Sequence, residues 1–467
     1  MFTTSLPYDA PDIGWNVDSF SCSLVLPENG VTTHESITPP PSALEAREHL
    51  HARIMALNHA IETASHQNLE PRCTPHPKGV RWWNNECFIA QTATCCAKGA
   101  ARQAAFKTLR CTMRMAQRMW AHDLLHEAAD STDIWHMATT CKGHQANTFP
   151  ALRMANNTLV KDPNMKAEAL KAQFFPPIHP TIKIDQPDDP PPLPTRTWDP
   201  ISHREVSQAL QGASAKSAPG PSGVRYTLLK WAHQARPDAI TLIFNLCLDT
   251  GTHPWHHATI IVLNKPNKPD YSNPKAYRPI SLLKCISKVL EKIVAKRFNH
   301  NISTYGLLPM TQFGSHPHHT AVDAAAVLTH CIQATRDSRH AGALILFDIL
   351  GFFNNINPEQ AVKILALKGF PDNVCHWTLS FLTEWTASLR MGTYTSTEFS
   401  IVYGTPQGSP LSPILSALYT SPLLDLTASW THRDLTMYVD DGAIYATSAT
   451  ANATAKSTVL GLEQALT

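Results

Sequence analysis

Hydrophobic and polar residues follow different patterns in successive parts of the chain. Apolar side chains recur every three to four residues between residues 43 and 61, with charged residues between them, as on one face of a helix. A second helical pattern, rich in Ala and Arg, runs over 82–125. Residues 1–42 are rich in Pro, Ser and Thr. We therefore expect little order over 1–42 and a helical region over 43–184.

A proline-rich segment, 185–200, separates this region from the rest of the chain. Its composition predicts a stiff, extended linker. Beyond it, the patterns over 201–210 and 228–248 predict helices, and 257–263 predicts a strand. We expect residues 201–467 to form a separate domain.

Two apolar runs flank Tyr438-Val439-Asp440-Asp441, which predicts two strands that meet at a tight, acidic turn. The adjacent carboxylates repel each other, and carboxylate oxygens are ligands that Mg²⁺ prefers. Most such Asp pairs are solvated turns, since Asp is common in turns. The pattern alone leaves a solvated turn and a metal site both open.

Two further segments bear on this choice. The run 343–347 predicts a buried strand that ends at Asp348, where a carboxylate could share a metal with another acidic strand end. The Gly- and Pro-rich segment 404–413 predicts a stiff loop whose backbone can closely approach a flat ligand, and 414–423 predicts a helix after it.

An Asp-ended strand, a Pro-Gln-Gly loop and a Tyr-x-Asp-Asp hairpin, in this order, resemble motifs A, B and C of the reverse transcriptases. The blocks that resemble the fingers of that family are Lys265-Pro266, 276–283 and 288–292. The blocks that resemble its non-LTR (LINE-type) retrotransposon branch are 216–221, Gln312-Phe313-Gly314 and Asp323-Ala324. The resemblance covers roughly residues 198–450.

This resemblance implies an α+β right-hand polymerase, with fingers and an antiparallel palm sheet with helices over 201–467. It implies an RNA-directed DNA polymerase that uses an RNA template, a DNA primer and deoxynucleoside triphosphates. Two Mg²⁺ ions, or Mn²⁺, would serve as cofactors. The implied metal ligands are Asp348, Asp440 and Asp441, with the Ile349 carbonyl as a further ligand.

The resemblance also implies a nucleotide site. Lys265 and Arg278 would hold the triphosphate, although an ordinary solvated loop also explains Lys265. Gln407 and Gly408 would line the pocket. Phe353 matches the steric gate that excludes a ribose 2′-hydroxyl. The alternative interpretation is that Phe353 is an aromatic residue of the core.

Four lysines recur every four residues opposite an apolar helix face: Lys284, Lys288, Lys292 and Lys296. Such a basic stripe could follow the phosphate backbone of a template. A solvated helix face explains it equally well.

Composition restricts the surface available for nucleic-acid binding, the redox state of the cysteines and the cellular location. The 467 residues are 43% hydrophobic and 16% charged with net charge +2, so any nucleic-acid footprint must be local. Eleven cysteines without a Cys-x-x-Cys pair indicate free thiols in a reducing compartment. We find no signal peptide and no apolar membrane span, and expect a nuclear or cytoplasmic protein that does not enter a membrane.

Several residues depart from the family pattern: Asn354 and Ser222 stand where Asp is usual, His316, His319 and Trp385 where Arg is usual, and Leu350 where a small polar residue is usual. Most of these departures fit C-to-T or G-to-A changes, which suggests a decayed copy. The three histidines in His316-Pro317-His318-His319 could also suggest a metal site, but a surface role is the simpler interpretation.

The chain ends 26 residues after Asp441, which leads us to expect no thumb; we also expect no endonuclease domain in front. Two hypotheses follow. The chain is either a fragment of an RNA-directed DNA polymerase or a catalytically inactive remnant that at most binds nucleic acid.

Overall fold

The structure is a computed structural model. It describes residues 14–15, 43–67, 69–70, 82–97, 100–127, 149–154, 157–176, 190–215, 217–349, 351–392, 394–402 and 404–466. Two compact units divide the chain: Met1–Val17 with His66–Phe149, and Asp18–Ser65 with Pro150–Thr467. Apart from two residues, the segment expected to be poorly ordered lies outside the described residues, as do Lys216 and Leu350.

The first unit is mainly helical in its described part. Strands β1 (Gly14–Trp15) and β2 (Leu69–Glu70) form an antiparallel pair. Helices α2 (Asn85–Cys96) and α3 (Ala100–Glu127) follow. The Asn84 side chain accepts from the backbone N–H of Cys87 and so caps the start of α2.

The second unit contains the remaining elements and, for most of its length, α1 (Ala43–Gln67). Its other helices are α4 (Pro163–Phe174), α5 (His203–Gln211), α6 (Tyr226–Ala235), α7 (Pro237–Asp249), α8 (Cys285–Tyr305), α9 (Ala321–Asp337), α10 (Pro358–Leu367), α11 (Asp372–Leu382), α12 (Ser412–Thr427) and α13 (Ala451–Leu466). Its strands are β3 (Leu152–Arg153), β4 (Leu159–Val160), β5 (His257–Asn264), β6 (Tyr277–Leu282), β7 (Ala341–Asp348), β8 (Trp385–Met391), β9 (Tyr394–Thr395), β10 (Phe399–Ile401), β11 (Arg433–Tyr438) and β12 (Asp441–Ser448).

The single helix expected over 228–248 is wrong, because the structure has two helices there. The break falls at Arg236, whose φ of −140° and ψ of 79° are not helical. Pro237 has no N–H to donate and restricts the residue before it, so it starts α7 and ends α6. The predicted strand at 257–263 and the predicted helix at 414–423 are confirmed.

A five-stranded sheet forms the centre of the second unit. Its order is β10-β8-β5-β6, with β9 paired to β8, and only the β5–β8 pair is parallel. Ile260, Ala387 and Leu389 are fully buried in it. One face of this sheet is therefore part of the core.

The other large sheet has the order β11-β12-β7 and is antiparallel throughout. One face packs in a small core that includes Leu435, Ile444 and Leu424 of α12. On the opposite face Leu344 is 40% and Leu346 is 70% exposed. The expectation that 343–347 is buried is therefore wrong for one face of β7.

Residues 190–200 are extended, without helix or strand, and hydrogen-bonded to the end of α10 and the residues after it. The Leu193 N–H donates to the Leu367 carbonyl, and the Arg196 N–H donates to the Gly369 carbonyl. The Arg196 guanidinium also lies over the ring of Tyr305, 4.5 Å from its centroid. This part of the proline-rich segment is therefore held in place by main-chain hydrogen bonds and by the contact of Arg196 with Tyr305.

None of the helices that the structure describes has the length and hydropathy to cross a membrane. Every cysteine among the described residues is a free thiol.

Candidate active site

The acidic turn lies between β11 and β12, and Tyr438 pairs with Asp441 across it. The predicted acidic hairpin is confirmed in this respect. Val439 in the turn has a φ of 63°, in the left-handed region that a β-branched residue rarely adopts. Such backbone strain, about 1–3 kcal/mol, persists only where neighbouring contacts enforce it, and it is common at functional sites.

The Gln-Phe-Gly segment supplies those contacts. The Phe313 N–H donates to the Met437 carbonyl, and the Met437 N–H donates to the Thr311 carbonyl. A Cβ at Gly314 would lie 2.3 Å from the Val439 backbone nitrogen, so only glycine fits there. Sequence reasoning used this segment to identify the branch of the family and missed its structural role.

The register of the sheet brings the acidic residues together. Asp348, the last residue of β7, lies directly opposite Asp441. The Ile349 N–H donates to the Asp440 carbonyl at 3.1 Å. The backbones of all three Asp residues therefore meet at one end of the open sheet, with Asp348 and Asp441 exposed and Asp440 half-buried.

The environment at this end disfavours the ionised form of Asp440. Burial raises the pKa of Asp440, and the neighbouring charges of Asp441 and Asp348 raise it further. Like charges this close disfavour ionisation, whereas an added cation relieves the repulsion. Carboxylate oxygens also suit Mg²⁺. Among the described residues, however, no three His, Cys, Asp or Glu side chains are gathered closely enough to hold a metal ion.

The β5–β6 hairpin carries the two basic residues of the expected nucleotide site. Leu263 pairs with Arg278, and the Lys265 N–H donates to the Ala276 carbonyl at 2.8 Å. Residues paired in this way share a face, so Lys265 and Arg278 are diagonal neighbours on one side of the hairpin. Tyr271 Oη also donates to the Lys265 carbonyl, so the Lys265 backbone is fixed by two hydrogen bonds.

The Gln407–Gly408 segment lies against the same hairpin. The Ser281 N–H donates to the Gln407 carbonyl at 2.7 Å. Gly408 has a φ of 129°, and a Cβ there would lie 2.7 Å from the Ser281 carbonyl oxygen. The close approach expected of this loop is thus made to strand β6.

Phe353 lies half-buried in a short 3₁₀ turn, Phe352–Asn354. Its carbonyl accepts from the Thr405 N–H at 2.7 Å. The strand of Arg278, the loop of Gln407 and the turn of Phe353 are therefore connected through main-chain hydrogen bonds. Gln407 lies on a segment that meets β6, and Phe353 lies on a turn that meets that segment. Arg278, in contrast, is three residues along β6 from Ser281, and Lys265 is five residues beyond Ile260, the partner of Ser281.

The basic stripe on α8 is partly tied to α5. Lys292 Nζ donates to the Ala209 carbonyl at 3.3 Å, and Lys296 Nζ donates to Gln208 Oε1 at 2.9 Å. Burial lowers the pKa of Lys284. The stripe is not a freely solvated face, and its contact with nucleic acid remains a prediction.

Two of the departures from the family pattern are built into the packing. Trp385 is only 3% exposed, and its indole N–H donates to the Phe381 carbonyl at 2.5 Å. The Asn354 amide donates to the Phe174 carbonyl at 2.6 Å. An Arg at 385 would bury a charge and an Asp at 354 would lose a donor, so neither residue resembles random damage.

Two residues of the histidine cluster, His316 and His319, are half-buried. The rings of His316 and His319 stack with centroids 3.9 Å apart. His316 Nδ1 is 2.8 Å from the Gln312 carbonyl, and burial lowers the pKa of His316. The expected surface role therefore fits His318, which is exposed, better than the stacked pair.

A buried polar group escaped the sequence analysis. The Ser287 hydroxyl donates to Glu291 Oε1 at 2.5 Å and lies 3.0 Å from His253 Nε2. Burial lowers the pKa of His253 far below its usual value and raises that of Glu291. All three side chains are fully buried, so no substrate reaches Ser287 and the group is structural. Polar residues at i and i+4 on the apolar face of α8 were the available signal.

Comparison with known proteins agrees with this geometry. Residues 264–466 match the family described as reverse transcriptase (RNA-dependent DNA polymerase). The probable RNA-directed DNA polymerase from transposon BS of Drosophila melanogaster is 31% identical over 227 residues, 48% of this chain and 25% of that protein. The RNA-directed DNA polymerase from mobile element jockey of the same species is 28% identical over 253 residues, 53% of this chain and 26% of that protein.

These matches span about a quarter of each relative's length. A solved structure of apo telomerase from Candida tropicalis, truncated from its C-terminal domain, matches 45% of this chain and 46% of that chain at 12% identity, with a TM-score of 0.32. The expected resemblance is confirmed by the sequence matches: residues 264–466 match the reverse transcriptase family, and the chain resembles the RNA-directed DNA polymerases of non-LTR retrotransposons.

Proposed function

We propose that this chain carries the nucleotidyl-transfer centre of an RNA-directed DNA polymerase. The single observation that supports this most strongly is the register of the open sheet, which sets Asp348 opposite Asp441 while Asp440 bonds to Ile349. We assign β11-β12-β7 to the palm and the β5–β6 hairpin with α8 to the fingers. Residues 43–184 would be an upstream region of the same polymerase protein.

Asp348 and Asp440 would hold two Mg²⁺ ions, or Mn²⁺, with Asp441 and the Ile349 carbonyl beside them. Bound metal would activate the primer 3′-hydroxyl and neutralise charge on the phosphates. The contribution of the chain itself is to fix these oxygens on two bonded strands. Burial raises the pKa of Asp440 and repulsion from Asp441 and Asp348 adds to it, so a bound cation would relieve the cost of ionising this group.

The basic residues would position the deoxynucleoside triphosphate. Arg278 is exposed and offers a planar fork that binds phosphate oxygens bidentately, while Lys265 acts as a point charge. Gln407 and Gly408 would face the nucleotide, and Phe353 would exclude a ribose 2′-hydroxyl. An RNA template with a DNA primer would lie across the open face of the palm, with the α8 lysines near its backbone.

Primer extension on an RNA template tests the proposal. Asp440→Asn removes a metal ligand, which costs several kcal/mol of transition-state stabilisation, or about 100-fold in rate or more. Asp434→Asn is the matched control, because Asp434 is exposed on the same strand β11 but lies opposite Tyr445, away from the turn.

Loss of extension in Asp440→Asn alone supports the assignment. Equal rates in both variants would contradict it. Template binding without extension in the unmodified chain would support the alternative of an inactive remnant that binds nucleic acid.

A further inference from the structure

The turn that carries Phe353 is held on two sides. On one side the Phe353 carbonyl accepts from the Thr405 N–H at 2.7 Å. On the other side the side chain of the next residue, Asn354, donates its amide to the Phe174 carbonyl at 2.6 Å. This second contact joins the turn to a segment 180 residues earlier in the chain, before the matched reverse transcriptase domain.

The acceptor is the last residue of α4. The final carbonyls of a helix have no partner within the helix and carry partial negative charge. An amide N–H satisfies such a carbonyl, whereas an ionised carboxylate offers only acceptors and is repelled. The Asn354 amide therefore caps the C-terminal end of α4, and an ionised Asp could not.

Helix α4 is itself anchored to the domain, so it can hold the turn in place. Tyr394 Oη donates to Asn164 Oδ1 near the start of the helix at 2.5 Å. Near its end, the Lys171 ammonium lies 5.0 Å from the centroid of the Phe399 ring. Phe175, which follows α4, contacts the same ring with centroids 5.8 Å apart.

Gly404 packs closely against the backbone of the turn, but the side chain of Asn354 has open space beside it. A cavity borders Asn354, and its walls include Phe175, Trp385, Ile401 and Thr405. Space next to a side chain permits movement, so the hydrogen bond to α4 carries the restraint.

We propose that Asn354 is a positioning residue for sugar selection: its amide ties the Phe353 turn to the C-terminal end of α4 and so fixes the ring against the sugar. This rests on the proposed function, in which Phe353 excludes the 2′-hydroxyl. The upstream helix thereby becomes part of the specificity apparatus of the polymerase. It also explains why Asn stands at this position.

Asn354→Asp is the decisive variant, because it keeps the size of the side chain and removes the donor. We expect the deoxy-to-ribo ratio of kcat/KM to fall about tenfold, the loss of roughly one good hydrogen bond, with a smaller change in the deoxynucleotide rate. Asn301→Asp is the matched control, since the Asn301 amide also donates to a helix carbonyl, that of Arg297 at 2.9 Å, but on α8.

Hydrogen exchange at residues 163–176 and 351–355 measures the contact between Asn354 and Phe174 and needs no polymerase activity. We expect faster exchange in both segments in Asn354→Asp at pH 7 and recovery near pH 4, where a protonated Asp again offers a donor. Asn301→Asp should leave both segments unchanged.

The outcomes separate the two proposals. No extension by the unmodified chain would count against the proposed function, and the exchange data would still decide the contact. Unchanged exchange in Asn354→Asp would overturn the inference. So would extension with an unchanged sugar ratio.

Discussion

The two large sheets of the second unit differ in how they are covered. The five-stranded sheet is the more covered of the two, since Ile260 and Leu389 on β5 and β8 have no exposed surface. The three-stranded sheet has one open face, on which Leu346 of β7 is 70% exposed. The more covered sheet is a scaffold whose buried face is fixed by packing. The open sheet presents its acidic end to solvent, as the proposed chemistry on a long nucleic-acid substrate would require.

The largest expected contrast compares charge insertion in the two sheets. Trp385→Arg, at a buried position of β8, should lower the free energy of unfolding by about 3–5 kcal/mol. The substitution removes a buried ring and buries an unpaired charge. Leu346→Arg on open β7 should change it by about 0.5 kcal/mol or less. Urea denaturation of both variants measures the contrast. Similar losses would show that the two sheets are not covered differently.

The Trp385 variant also tests the interpretation of this residue as decay. Reversion of a damaged position should help the protein, whereas replacement of a fitted residue should harm it. We expect harm, because the Trp385 ring lies 5.9 Å from that of His253 within an aromatic cluster.

The next contrast concerns Glu291, which is fully buried on α8. Glu291→Ala should cost about 2–4 kcal/mol through a cavity and the loss of the Ser287–Glu291 hydrogen bond, whereas Glu291→Gln keeps shape and hydrogen bonding. Burial raises the pKa of Glu291, so the protonated carboxyl contributes to the free energy of unfolding. This contribution is fully present below the pKa of the unfolded state and is lost as pH rises through the pKa of the folded state. Glu291→Gln should therefore gain stability relative to the parent between pH 4 and pH 8. Parallel curves for both proteins in urea at these pH values would contradict this.

Phe353→Ala probes the junction between the sheets, where the turn meets the Thr405 loop. Removal of the ring should lower the deoxy-to-ribo preference more than the deoxynucleotide rate, because the ring acts by exclusion. Single-nucleotide incorporation with matched deoxy- and ribonucleotides gives the ratio. An unchanged ratio would make Phe353 a core residue only.

The smallest effect concerns stability at the open end. Because the pKa of Asp440 is raised in the folded protein, the protonated carboxyl contributes to the free energy of unfolding. This contribution is fully present below the pKa of the unfolded state and is lost as pH rises through the pKa of the folded state. Asp440→Asn removes this loss, so it should raise Tm slightly near pH 7 and leave it unchanged near pH 3. A gain that persists at pH 3 would point to a different cause.

The sequence predicted what local patterns and motif order determine. Apolar runs next to Asp348 and Asp440 gave the acidic hairpin and its partner strand. The continuous apolar run 343–347 could not show that β7 has an open face, because coverage depends on where distant helices pack. Similarly, periodicity missed the break at Arg236, although Pro237 was a visible signal.

Contacts between distant segments were beyond prediction from one sequence. The bond from Asn354 to Phe174 joins residues 180 positions apart. The lysine stripe on α8 gave no sign that Lys292 and Lys296 would bond to α5. For the same reason, Asn354 and Trp385 looked like damage until their neighbours were known.

The claim on which the rest depends is that the carboxylates at the open end of β11-β12-β7 act together as one cation site. Titration of the folded protein with Mn²⁺, followed by electron paramagnetic resonance, measures this directly without turnover. We expect binding in the parent and in Asp434→Asn, and at least about tenfold weaker binding in Asp348→Asn and Asp440→Asn. Equal Mn²⁺ affinity in all four proteins would contradict the claim.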